Sequence, residues 1–261
     1  NFVGANILML DILNQNKTAL GVNPNANFEK ILTQTQELRK TTATLALSSS
    51  KNAETLSVAV DITSNAGHKL PTSFPSRRVF VHFTLFDTNN NILFESGKVN
   101  ADGSIVGADG DANASSFEPH FNVINAENQV QIYEAVMQNS DNKVTHTLLR
   151  AASYVKDNRL LPRGFNKVTA PSDIAVVGDA NTSDANFIGG SDRVTYELNT
   201  TAFGSKTPAR AEVELLYQTL SYPFAKDLFD DNTTESRIFE GMFDASEMKS
   251  TKITQQNLVL Y

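Results

Sequence analysis

The sequence predicts a mainly β protein, an antiparallel immunoglobulin-like β-sandwich with an N-terminal helical segment and helical insertions. From Thr42 onward, runs such as ETLSVAVDIT and RVFVHFTLFD show the two-residue apolar period of β-strands. Clusters of Gly, Asp and Asn separate these runs, as expected where turns join antiparallel strands. Before Thr42, the apolar residues follow a helical spacing instead.

Residues 1–41 form the predicted helical segment. Apolar residues cluster between Asn6 and Leu13, and FEKILTQTQELRK repeats a helical pattern after the turn-forming GVNPNAN. The apolar sides of these two helices need a covering surface. We therefore expect both helices to pack on the following β-sandwich domain, at residues 42–261.

The strongest strand signal is a hairpin, in which DTNNN joins RVFVHFTLFD to NILFESGKV. Both faces of its first strand are largely apolar, which predicts a strand that is central or covered on both sides. VQIYEAVM, RVTYELNT and ARAEVELLYQTLSY predict further strands. THTLLRAASYVKDNRLLPRGF, at about residues 146–165, predicts a helix and loop insertion. PFAKDLFDD and ESRIFEGMFDASEM predict short helices, and KITQQNLVLY a last strand or a tail.

Composition excludes several classes of protein. A net charge of −7 and a pI near 5.1 disfavour nucleic acid as the main partner. No run approaches the roughly 18 apolar residues that a membrane span needs. With 0 Cys, the chain has no disulfide, thiolate site or CxxCH motif for attaching haem c. It also lacks GxSxG, HExxH and a Gly-rich phosphate loop, so we predict that it is not an enzyme.

Two of the 4 histidines are candidate ligands. His68 and His120 fall in predicted loops that prolines stiffen, and a rigid loop can present an imidazole to a metal. The alternative is a structural role for each. His82 alternates with phenylalanines in a strand, which predicts a buried, hydrogen-bonded side chain, and His146 is expected at the surface.

Two acidic loops offer oxygen ligands for a hard cation. ADGSIVGADGDANASSFE places Asp109, Asp111 and Asn113 at alternating positions, which makes calcium the candidate metal. The loop is not an EF-hand, because Ala114 stands where that motif requires glycine. GDANTSDANFIGGSD offers a second set, Asp179, Asp184 and Asp192. For both loops, a solvated polar turn is the alternative.

The loop NAGHKLPTSFPSRR carries more charge than a connection needs, and it opens a stretch that resembles a known family. With RVFVHFTLFD, ILFESG, EPHFN, VQIYEAVM and LLRAASYVKDNRLLPRGF, in this order, it is similar to large bacterial multihaem c-type cytochromes. In these proteins, a haem-free C-terminal β-domain follows a haem-binding region. The resemblance spans most of residues 60–165. Ser73 and Phe80 depart from it, since relatives tend to have Gly and Trp there.

The resemblance implies a non-catalytic, haem-free module of a periplasmic or extracellular bacterial multihaem cytochrome. Its partners would be the haem-binding region of the same protein, upstream of this chain, and a redox partner protein. The chain alone would be colourless, with no covalent haem. His68 and His120 would be distal axial ligands of a neighbouring haem, and four arginines would pair with haem propionates: Arg77, Arg78, Arg159 and Arg163.

Two alternatives remain open from the sequence. GHKLP and KDNRLLP could be structural turns that lock the sandwich to its insertion. The whole chain could also be a free-standing calcium-binding adhesion or ligand-binding module with an immunoglobulin-like sandwich.

Overall fold

The computed structural model describes residues 6–72 and 74–260. Residues 1–5 of the predicted helical segment, Ser73 and Tyr261 lie outside this part. The helices are α1 (Ile7–Gln15), α2 (Phe28–Lys40), α3 (Asp109–Ala112), α4 (Asp179–Thr182), α5 (Tyr222–Asp230) and α6 (Thr234–Ala245). The strands are β1 (Ala43–Lys51), β2 (Thr55–Ser64), β3 (Arg78–Asp87), β4 (Ile92–Ser96), β5 (Val123–Ile124), β6 (Ile132–Tyr133), β7 (Ala135–Gln138), β8 (Ser153–Asp157), β9 (Ser191–Asn199), β10 (Pro208–Gln218) and β11 (Thr251–Val259).

The strands form two main sheets and a small one. The first sheet has the order β1-β2-β9-β5, and the second has the order β11-β10-β3-β4 with β6 beside β3. Strands β7 and β8 pair separately. The pairings are antiparallel except for β5, which runs parallel to β9. The predicted mainly β, antiparallel sandwich is therefore confirmed, while its immunoglobulin-like character stays a prediction.

Alternation along the strands builds the core between the two main sheets. In β2, every second residue is buried, starting at Leu56, and β3 buries Val81, Phe83 and Leu85 in the same cluster. The ring of Phe83 stacks on Tyr196 of β9 with centroids 3.9 Å apart. Because Phe83 and Tyr196 belong to different sheets, this contact joins the two layers at the centre of the core.

Strand β3 is central, as its two apolar faces predicted. Phe80 on its second face belongs to a smaller buried cluster with Ile132 and Leu216. Farther along that face, His82 is half-buried between Glu214 at 3.2 Å and Glu95 at 3.1 Å. Burial lowers the pKa of His82, but its hydrogen bonds to Glu214 and Glu95 outweigh this and raise it overall.

The two N-terminal helices contact the sandwich through Ile7 of α1, which belongs to the main core, and Leu32 of α2, which packs against that core. Leu8 and Ile12 of α1 are instead buried against Ala225 of α5 and Phe243 of α6. Helix α2 is tied to β11 by Arg39, whose Nε donates a hydrogen bond to the carbonyl oxygen of Lys252 at 3.0 Å. The predicted short helices near the C-terminus are α5 and α6, and KITQQNLVLY contributes to strand β11.

The segment 146–165 differs from the predicted helical insertion. Its helical part is one turn of 3-10 helix, Leu148–Arg150, and SYVKD forms strand β8. Strand β8 pairs with β7, and the buried Lys156 amine donates to Ile132 O and Glu134 Oε1, both at 3.0 Å. The helix-forming run LLRAA is too short to extend against this tertiary pairing.

Candidate functional site

Two loops that carry the most distinctive sequence motifs meet at one end of the sandwich. We call residues 64–70 and 157–165 the loop pair. Leu70 N donates to Leu160 O at 2.8 Å, and Leu160 N donates to Leu70 O at 2.9 Å. Both leucine side chains are buried in the main core. The motifs GHKLP and KDNRLLPRG are therefore two halves of one structural unit.

A shared carboxylate locks the loop pair electrostatically. Asp157 accepts from Lys69 Nζ at 2.8 Å and from Arg159 Nη2 at 2.7 Å and Nε at 2.8 Å. Burial favours a higher pKa for Asp157, but Arg159 and Lys69 outweigh it and lower the pKa overall. Two cations thus share one carboxylate, which leaves a net positive charge on the loop pair.

The four candidate arginines have different surroundings. Arg78 is buried, with Nη1 and Nη2 at 2.6 and 2.7 Å from the two oxygens of Asp111, so it is unavailable to a propionate. Arg159 is bound to Asp157. Arg77 is half-buried and donates to neutral oxygens, whereas Arg163 is exposed beside Asn65. The expectation for Arg78 is therefore corrected, because its charge is already paired in the interior.

His68 lies at the exposed tip of the loop pair. Its Nδ1 is 2.9 Å from the carbonyl oxygen of Lys69. A carbonyl oxygen only accepts, so Nδ1 carries the proton and, in the neutral ring, the lone pair is on Nε2. This is the tautomer in which an imidazole ligates a metal through Nε2.

His120 has the opposite arrangement. Its buried Nδ1 is 2.9 Å from Gln131 Nε2 and 3.0 Å from Asn158 Nδ2, and its Nε2 is 2.9 Å from Asp184 Oδ2. The amide orientations follow from their oxygens, which accept from Phe121 N and Glu134 N. Nδ1 must therefore accept, and Nε2–H donates to Asp184. His120 is thus corrected from a candidate haem ligand to a member of an internal hydrogen-bond network.

The same network brings together three side chains of metal-ligand type, a set that the sequence did not predict. Ligand atoms of His120, Asp184 and Asp192 all lie within 4.8 Å of one another. Burial raises the pKa of Asp192 to about 6, and Asp192 Oδ2 accepts from Tyr133 Oη at 2.6 Å. A metal on His120 Nε2 would require the proton on Nδ1, which already faces two amide donors. These residues therefore fit a structural network better than a metal ion.

The predicted calcium site is not supported. The Asp111 oxygens accept from Arg78 and from Ile105 N at 2.7 Å. The side-chain oxygen of Asn113 accepts from Ser115 N at 3.0 Å. Asp109 begins α3, where its backbone N donates to Glu118. Because Arg78 neutralises Asp111, the charge that would attract a cation is already compensated. The expectation for His146 is also corrected, since its half-buried ring packs against Phe224 with centroids 5.0 Å apart.

Comparisons with known proteins give one structural likeness. The sequence matches no family model and no curated protein. The structure is similar to a penta-haem cytochrome c552 from Thermochromatium tepidum, with a TM-score of 0.50 and 12% identity over 86% of this chain. The chain spans 41% of that cytochrome, and at this identity the likeness shows the fold alone. In the described part of the chain, no helix has the length and apolar character needed to cross a bilayer.

Proposed function

We propose that this chain is a haem-free, non-catalytic β-module of a secreted bacterial multihaem c-type cytochrome. The observation that carries the proposal is the likeness of its fold to a multihaem cytochrome over 86% of the chain. The family motifs in the sequence support it independently, because the two most distinctive of them meet in the loop pair. The module packs on the haem-binding region of the same protein and supports electron transfer without performing it.

The chemistry of the loop pair suits a haem as the neighbouring group. The chain has 0 Cys, so any haem c that it contacts is attached to another region. A haem presents anionic propionates and an iron with an axial position, and the loop pair presents excess positive charge and an imidazole. The proposal assigns to His68 the distal axial position, because its ring is exposed and the contact of Nδ1 with Lys69 O sets the tautomer that ligates through Nε2.

Replacing His68 with Ala in the full-length cytochrome is expected to convert one haem from six-coordinate to five-coordinate or water-ligated. The expected signature is the appearance of a high-spin fraction equal to one haem in the absorption and electron paramagnetic resonance spectra. His82→Ala is the matched control, because His82 lies between Glu95 and Glu214 on the outer face of the second sheet. Its spectrum is expected to stay unchanged.

Two results would count against the proposal. An unchanged spectrum for His68→Ala would remove His68 from the haem site. A full-length protein without c-type haem would remove the proposed function altogether.

A further inference from the structure

A surface pocket lies between the two halves of the loop pair. It has a volume of about 320 Å³ and is lined by Ser64, Asn65, Ala66, Gly67, Pro162 and Arg163. The first four residues come from the end of β2 and the loop that follows it, and the last two from the second loop. We call it the Arg163 pocket.

Gly190 holds the two walls of this pocket at a fixed separation. Its carbonyl oxygen accepts from Ser64 N at 2.9 Å, and its N donates to Leu161 O at 3.1 Å. The residue has a φ of +99°, and a Cβ there would lie 2.8 Å from Arg163 Cγ. Only glycine therefore both adopts this backbone conformation and leaves room for the Arg163 stem. The separation of the two pocket walls is therefore set by backbone hydrogen bonds of the fold.

The polar groups of the Arg163 pocket suit a carboxylate. Arg163 Nη2 donates to Asn65 Oδ1 at 3.3 Å, a neutral partner. Within residues 6–72 and 74–260, no acidic side chain forms an ion pair with Arg163. Ser64 also lines the pocket, with a buried hydroxyl that has no hydrogen-bond partner among the described residues. A guanidinium without an acidic partner is the group that binds carboxylates, often by two parallel hydrogen bonds.

We propose that the Arg163 pocket binds a carboxylate, with the guanidinium of Arg163 as its main donor. On the same loop pair, Lys69 and Arg159 share the single carboxylate of Asp157. The excess positive charge that results attracts the carboxylate ligand as well. In the whole protein, the carboxylate is a propionate of the haem that faces the loop pair. This last assignment rests on the proposed function, whereas carboxylate binding itself does not.

The test titrates the isotopically labelled chain with sodium acetate at constant ionic strength, with sodium chloride as the balancing salt. The amide resonances of Gly67 and Arg163 are expected to shift with saturation at a Kd on the order of millimolar, as suits one small charged ligand. R163Q is expected to weaken binding at least tenfold. R193Q is the matched control, because Arg193 is an exposed arginine bound to Asp61 on another surface. Shifts that do not saturate, or that persist in R163Q, would overturn the proposal.

A second titration identifies the source of the carboxylate. A haem peptide with free propionates is expected to bind more tightly than acetate, and its propionate dimethyl ester is expected to lose that gain. If acetate binds but the haem peptide and its ester behave alike, the pocket remains a carboxylate site and the haem assignment is overturned. Because the acetate result does not depend on the cytochrome, it separates failure of the pocket from failure of the proposed function.

Discussion

Arg78→Met is expected to lower the free energy of unfolding by about 3–5 kcal/mol, the range found when one partner of a buried ion pair is removed. Arg78 and Asp111 have side chains that are 2% and 3% exposed, and they are joined by two short hydrogen bonds. Gln218 Oε1 accepts from Arg78 Nε as well. Removing the guanidinium leaves the Asp111 charge in the interior without its counter-ion. Urea denaturation monitored by far-UV circular dichroism measures the change.

Two further variants make the Arg78 result specific. Arg193→Met removes an exposed partner of Asp61 and is expected to leave the urea midpoint nearly unchanged. Adding Asp111→Leu to Arg78→Met is expected to recover part of the loss, because it removes the uncompensated carboxylate. An Arg78→Met midpoint like that of the Arg193 control would contradict the buried ion pair.

His120→Ala is expected to destabilise the chain by about 2–4 kcal/mol, from the lost packing and the broken hydrogen bonds together. The substitution removes the acceptor for Gln131 and Asn158 and the donor for Asp184. It also removes an edge contact with Phe187, whose ring centroid is 5.1 Å away. Thermal and urea unfolding of this chain measure the loss.

The matched control is His68→Ala, which replaces an exposed loop histidine and is expected to change stability by less than about 0.5 kcal/mol. Equal and small effects of the two substitutions would contradict the internal network around His120. A large effect for His68→Ala alone would reverse the roles of the two histidines.

Strand prediction succeeded where the information is local. The apolar residues on both faces of RVFVHFTLFD predicted a central strand, because successive side chains of a strand point to opposite faces and both faces here are mostly buried. The helical reading of residues 146–165 was wrong because LLRAA favours a helix only locally. Pairing of Ser153–Asp157 with Ala135–Gln138 is a contact between distant segments, and it decides the conformation there.

The candidate site was predicted in part, for the same reason. The sequence named Arg78 and Arg163 together, but only the fold buries one and exposes the other. One signal was available, since Arg78 shares the apolar face of β3 that carries Phe80 and so belongs on a covered surface. The network of His120, Asp184 and Asp192 joins separate segments of the chain, and no local pattern could have assembled it.

Amide hydrogen exchange tests most directly whether this chain docks on a haem-binding region through the loop pair. The exchange rates of residues 65–69 and 159–164 would be compared between this chain alone and the full-length protein. We expect slower exchange at both segments in the full-length protein, with unchanged rates around His82 and Glu214 on the outer face of the second sheet. Equal rates at the loop pair in both proteins, or protection confined to that outer face, would contradict it.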